Sequence, residues 1–336
     1  MADSLLEQIA QYRTVSIIGM CKNAGKTTAL NRIIREATHS GKVLGLTSIG
    51  RDGEGKDLVT GTQKPGIHVP EGTLIATASD LAIRYCDVTK EILDTTGMYT
   101  PMGEVVLLRA RSDGNVQLAG PSMTSQLAVL REAFFAAGAD RVLIDGALSR
   151  KSLCSRNVSD ATVLCTGASY HKDIRTVVAD TAFQCRILTL PETGDRAVHA
   201  LAAAADREIV LLRSDGSETL DAAQKIEDVL RKRPATGVFF GGALTDRALL
   251  PLLMSAVPLS DVTFVVRDSS KILLKQDTLD KLYRRGARLE VLDSVNLVAL
   301  TVNPFSAYGV HFDPEELRQR MAQATSLPVF DVMEGV

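Results

Sequence analysis

The sequence predicts an α/β protein in two parts: a first domain over residues 1–195 built on a mostly parallel sheet, then a second, smaller α/β domain over 205–336. Three observations carry this reading. Short apolar strand runs alternate with helical periodicities along most of the chain. One alternation, VSIIGMCKNAGKTTAL at Val15–Leu30, passes from buried strand to helix through a tight glycine loop. The pattern then restarts at Arg207, after the turn residues PETGD.

Bulk composition sets the frame. The 336 residues suffice for two ordinary domains, and 45% hydrophobic with 23% charged residues describes a soluble globular chain with a substantial core. A formal net charge of −2 gives no general attraction to nucleic acid or to an anionic membrane. MADSLLEQIAQYR has neither the apolar core of a signal peptide nor the basic character of a transit peptide, and no apolar run reaches membrane-spanning length. The five cysteines, Cys21, Cys86, Cys154, Cys165 and Cys185, are scattered with no Cys-x-x-Cys pair, as expected of reduced thiols in a cytoplasmic protein.

Residues 3–12 read as a short amphipathic helix with Leu5, Leu6 and Ile9 on one face. The strand Val15–Ile18 enters the loop at Gly19, and Gly25, Lys26, Thr27 and Thr28 open a helix that Gly41 stops. At a helix start the first N–H groups lack intrahelical partners and the macrodipole is positive, so an anion is favoured there. Gly25 lets backbone approach a phosphate, the Lys26 ammonium can reach β and γ phosphates, and the Thr27 hydroxyl can ligate Mg2+. The segment is therefore read as a phosphate-binding loop, with Gly19, Lys22, Asn23, Ala24, Gly25, Lys26, Thr27 and Thr28 as its nucleotide-contacting residues. Cys21, inside the loop, reads as a small packing residue.

A second strand, Val43–Ile49, runs into SIGRDGEGKD. Asp52 and Glu54 there could bind Mg2+ directly or through water and Arg51 could meet a phosphate, or the segment is a solvated turn. A strand near Leu74–Ala76, a helix from Ser79, a hairpin around Ser112–Asn115 and a helix over Thr124–Ala137 follow. RVLIDGALSRKS is the second chemical anchor. Its strand Val142–Ile144 ends in Asp145, where a carboxylate beside the phosphate-loop strand would hold Mg2+ opposite Thr27, and Gly146 would let the chain pass close to the γ phosphate. Lys26 and Asp145 are thus the catalytic candidates, and Thr27, Asp52 and Asp145 the metal candidates.

Ala161–Thr166 leads through the glycine-rich GASYHKD, which could approach a nucleotide base, into a helix near Ile174–Phe183, and Cys185–Leu190 is expected as a further strand. In the second domain, strands are expected at Glu208–Leu212, Gly237–Phe240, Val262–Val266, Leu289–Leu292 and Leu297–Val302, with helices at Leu220–Leu230 and Thr278–Arg285. A last helix is expected with Asp313 as N-cap and Pro314 at its first position. GGALTD after Phe240 reads as a glycine turn between strand and helix. No Asn-Lys-x-Asp tetrapeptide is present to read guanine, so the expected nucleotide is ATP with Mg2+, and the expected reaction phosphoryl transfer to water or to a small acceptor.

Gly19 and Gly25 enclose five residues, Met20–Ala24, where the usual pattern has four. In this the loop resembles that of dethiobiotin synthetase and its relatives, in the class of P-loop proteins that also holds signal-recognition and ParA-type ATPases. Lys22 lies one place nearer the Gly-Lys-Thr than the extra lysine of ParA-type loops, so that lysine's role is not carried over. With IDGALSRKS at 144–152 and VALTVNPFSAYGVHFDPEEL at 298–317, nearly the whole chain resembles the P-loop subunit of the reactivase for adenosylcobalamin-dependent lysine 5,6-aminomutase. That resemblance implies an ATPase working with a larger second subunit to release damaged cobalamin from the aminomutase, with the second domain meeting the partner. Its class further implies a homodimer around nucleotide. Two other functions fit the same residues: an ATP-dependent ligase or kinase acting on a small metabolite, and a nucleotide-gated binding protein with negligible turnover.

Overall fold

The computed structural model describes residues 4–49, 66–146, 158–205, 208–221 and 224–334. These form an α/β structure of two compact units, Met1–Ala182 with Asn296–Val336, and Phe183–Val295. In chain order the first unit opens with α1 (Leu5–Gln8), β1 (Thr14–Gly19), α2 (Lys26–Ser40) and β2 (Leu44–Ser48). There follow β3 (Ile67–Val69), β4 (Leu74–Ala78), α3 (Ser79–Arg84), β5 (Lys90–Thr100), β6 (Gly103–Ala110), β7 (Gly114–Val116), α4 (Thr124–Ala136), β8 (Arg141–Asp145) and β9 (Ala161–Gly167). The boundary between units falls inside α5 (Ile174–Leu188). The second unit holds α6 (Arg196–Ala204), β10 (Ile209–Arg213), β11 (Gly216–Leu220), α7 (Ile226–Lys232), β12 (Gly237–Phe240) and β13 (Leu244–Thr245). It continues with α8 (Asp246–Met254), β14 (Thr263–Asp268), β15 (Ile272–Leu273), α9 (Gln276–Arg284) and β16 (Arg288–Asp293). The chain then re-enters the first unit with β17 (Leu297–Asn303), α10 (Pro314–Thr325) and β18 (Val329–Asp331).

The nine-stranded sheet of the first unit has the order β18-β17-β9-β1-β8-β2-β4-β6-β5. From β18 to β4 every pairing is parallel, and β6 and β5 add an antiparallel edge. β1, β2, β4, β8 and β9 are buried along their whole length, which is why their sequences lack the polar alternation of a half-exposed strand. One side of the sheet packs with α1 and α2, the latter through Leu30, Ile33, Ile34 and Ala37, a helical stripe at three- and four-residue spacing. The other side packs against α4 through Leu127, Leu130 and Phe134. Each fully buried leucine, isoleucine or phenylalanine among these contributes roughly 1.5–3 kcal/mol against exposure.

The second unit carries a five-stranded sheet, β11-β10-β12-β14-β16, parallel across β12, β14 and β16 and antiparallel at the β10–β11 hairpin. One cluster joins this sheet to α7, α8 and α9 through Leu230, Leu252 and Leu282, and another joins it to α6 through Val198 and Ala202. Long cations satisfy the helix ends. Arg285 donates to the carbonyls of Leu253, in the last turn of α8, and of Ser255 and Val257 beyond it, and Arg267 to those of Ala202 and Ala205 at the end of α6.

Several sequence expectations are corrected. Residues 296–336, expected within the second domain, extend the first sheet: β17 pairs residue by residue with β9, Leu300 with Leu164 and Thr301 with Cys165, and β18 pairs with β17. Strand–helix alternation is blind to which sheet a returning strand joins. The second unit also begins at Phe183 and not near 205. Cys185–Leu190 is no strand; α5 continues to Leu188, because Val177, Thr181, Cys185 and Leu188 are buried at helical spacing. The hairpin expected around Ser112–Asn115 instead turns at 100–103, between β5 and β6, while β7 pairs with β3. Leu220 ends β11, and helix begins only at Ile226. The last helix starts as expected, with the Asp313 carboxylate accepting the Glu316 N–H at 2.7 Å and Pro314 at the helix start.

Candidate functional site

Strands β1, β2, β8, β9 and β17 bring their carboxyl ends to one edge of the large sheet, where an open α/β sheet places its ligand loops. Backbone hydrogen bonds carry the register into the loops. The Met20 N–H donates to Cys165 O at 2.8 Å, Gly146 N–H to Ile17 O at 3.0 Å, and Ile49 N–H to Asp145 O at 3.1 Å. Asp145 stands in register with Ile17 on one side and Ser48 on the other, so its strand is the immediate neighbour of the strand that feeds the glycine loop.

The loop 19–25 has the local geometry its residues dictate. Gly25 is the N-cap of α2 with φ 92°, a left-handed conformation that a side chain would strain, and no side chain caps the helix. The first intrahelical bond runs from Ala29 N–H to Gly25 O at 2.9 Å, so the opening N–H groups of the helix face the loop. A β-carbon on Gly19 would stand 2.9 Å from Lys26 Cγ and 3.1 Å from its Cδ: the lysine stem lies across this glycine. Asn23 is also left-handed, φ 61°, with its Nδ2 buried and no hydrogen-bond partner among the described residues. Ala24 is buried in the core, Lys22 is exposed, and Lys26, Thr27 and Thr28 are half-buried in the first turn.

Electrostatics place charge around this loop. Burial pushes the Cys165 thiol up to about 12; Thr301 and the nearby Lys26 ammonium oppose that rise and the Asp145 carboxylate adds to it, so both charges act at the end of β9. The Cys21 thiol is pushed up to about 11 by burial, with Lys26 opposing, which keeps it protonated and fits the packing role expected of it. Tyr170 rises to about 12 through burial and its 2.9 Å hydrogen bond to the Asp180 carboxylate, and Cys21 adds a smaller contribution.

Of the expected site residues, Gly19 to Thr28 and Asp145 are thus brought to one edge of one sheet. Asp52, with Arg51 and Glu54, lies outside the described residues. Sequence reading missed Asn303 and Val332. A β-carbon on Gly25 would stand 3.1 Å from Asn303 Cβ and 3.3 Å from Val332 Cγ2, so the end of β17 and the residue after β18 pack directly on the loop glycine. The close approach repeats at Gly167, where a β-carbon would sit 2.0 Å from Asn303 O. Asn-Pro at the end of a buried strand is the available signal, but strand–helix alternation places that strand in the other domain.

The arrangement can hold an anion at a positive helix end, set an ammonium beside it and present a carboxylate one strand away. Among the described residues no grouping of three or more His, Cys, Asp or Glu could hold a metal ion. No described helix is long and apolar enough to cross a membrane. Neither a search against family models nor one against curated proteins finds a match to the chain.

Proposed function

We propose that the chain is a Mg-ATP-binding P-loop ATPase of the dethiobiotin synthetase/ParA-like class, acting as a subunit of a reactivating factor for adenosylcobalamin-dependent lysine 5,6-aminomutase. The observation that carries the ATPase reading is the uncapped, glycine-led start of α2, with Lys26 folded across Gly19 one strand from Asp145. In this reading the N–H groups of the first turn of α2 cradle the β and γ phosphates and Lys26 neutralises their charge. Thr27 and Asp145 hold Mg2+, which supplies charge neutralisation on the phosphate oxygens. Catalysis then requires positioning and no covalent step from the protein. The reactivase assignment rests on the sequence resemblance, and its logic is a population shift: a partner that binds an open aminomutase state better than the closed one releases inactive cofactor, and hydrolysis resets it.

The test is phosphate release from Mg-ATP by the purified chain, alone, with the large reactivase subunit, and with inactivated aminomutase. Stimulation by the two proteins together with recovered aminomutase activity supports the proposal. Hydrolysis that ignores both proteins and requires a small acceptor replaces it with the ligase or kinase.

A further inference from the structure

We propose that the hairpin 303–312 is the base platform of this site, with Phe305 as the face on which a purine ring stacks; this rests on the nucleotide reading above. Sheet order gives the direction. Asp145, the carboxylate expected at the γ-phosphate end, lies on β8, on one side of β1. The base end of a nucleotide lying across the loop therefore runs to the other side, over the ends of β9 and β17.

What stands there is a rigid aromatic hairpin. Phe305 and His311 bridge antiparallel, Ser306 N–H donates to Val310 O at 2.9 Å, Phe312 N–H donates to Pro304 O at 3.0 Å, and Tyr308 N–H donates to Ser306 Oγ at 3.0 Å. The hairpin is tied to the phosphate side at two points. Asn303, packed on Gly25, accepts the Phe305 N–H through Oδ1 at 3.0 Å, and Ser306 Oγ accepts from Ser169 in the glycine-rich loop at 3.3 Å. In a chain with only 4% aromatic residues and no tryptophan, this one hairpin exposes Phe305 (43%) and Tyr308 (55%). His311 meets the Phe305 ring edge-on at a centroid distance of 5.5 Å and holds its orientation, leaving a ring exposed beside the site. A large apolar ring held this firmly at the surface is suited to stack a planar ligand.

The experiment titrates the full chain with Mg-ATP and with Mg-tripolyphosphate, which offers phosphates without a base, for the wild type, F305A and F305Y. The platform predicts about tenfold weaker ATP binding by F305A, tripolyphosphate binding unchanged within twofold, and recovery in F305Y. Equal ATP affinity in wild type and F305A, or equal weakening of both ligands, overturns the platform while leaving the phosphate loop standing. Failure of the wild type to bind tripolyphosphate or ATP overturns the nucleotide reading, and the platform with it.

Discussion

The two units each contain a glycine turn leading from a buried strand into a helix, and the two turns end differently. In the first unit β1 runs through Gly19–Gly25 into α2, whose N-cap is glycine and has no side-chain cap. In the second unit β12 runs through Gly241 and Gly242 into α8, whose N-cap Thr245 accepts the Ala248 N–H at 3.3 Å and whose first turn carries Asp246. A helix start that supplies its own acceptor and negative charge has little left for an anion, whereas one that leaves its donors bare invites one. Shared architecture therefore does not distribute function equally. The chemistry follows the residues at the first helical turn.

The sharpest way to break that contrast is Lys26→Ala. ATP-dependent phosphate release should fall by at least about 100-fold, the loss typical of removing a single stabiliser of transition-state charge. The far-ultraviolet circular dichroism and melting temperature should hold; retained activity would show that the loop is not the phosphate site. The next largest effect is expected from Asp145→Asn, which keeps the shape of a buried side chain and removes its charge. The Mg2+ concentration for half-maximal activity should rise about tenfold while nucleotide affinity changes less. An unchanged Mg2+ response would transfer the metal role to Asp52.

Packing separates what the sequence disclosed from what it withheld. The strand–loop–helix at 14–40 and the Asp145 strand were readable because each is local: buried run, glycine, cap and periodicity fall within a few residues of one another. Asn303 and Val332 were not, since their approach to Gly25 depends on a chain return across more than a hundred intervening residues. Gly45 shows the same limit. In sequence it is only a glycine inside a strand, but a β-carbon there would stand 2.6 Å from Cδ1 of Phe134 on α4. Gly45→Val should therefore destabilise the chain by about 1–3 kcal/mol in urea unfolding, and adding Phe134→Leu should restore part of the loss. Full additivity of the two changes would mean that the ring does not occupy that space.

The smallest expected effect tests the second unit on its own terms. At the carboxyl ends of β14 and β16, Asp268 and Asp293 stand in parallel register, and the Glu192 carboxylate accepts the Ser294 hydroxyl at 2.7 Å. Burial raises the Asp293 carboxyl above its ordinary 3.8, Asp268 and Glu192 raise it further, and His199 and Arg267 oppose. The folded state thus holds this proton at a pH where the unfolded chain has released it. Its contribution to stability is complete below the unfolded value and is lost as pH rises through the higher folded one. Asp293→Asn removes that loss, so the melting temperature of the variant should exceed that of the wild type near neutrality. The gap should close as pH falls toward 4. The difference is expected to be modest, because Asp293 is partly exposed and solvent screens its neighbours. A gap of constant size from neutral pH to 4 would show that the asparagine acts through packing and that the paired carboxylates do not repel in the folded chain.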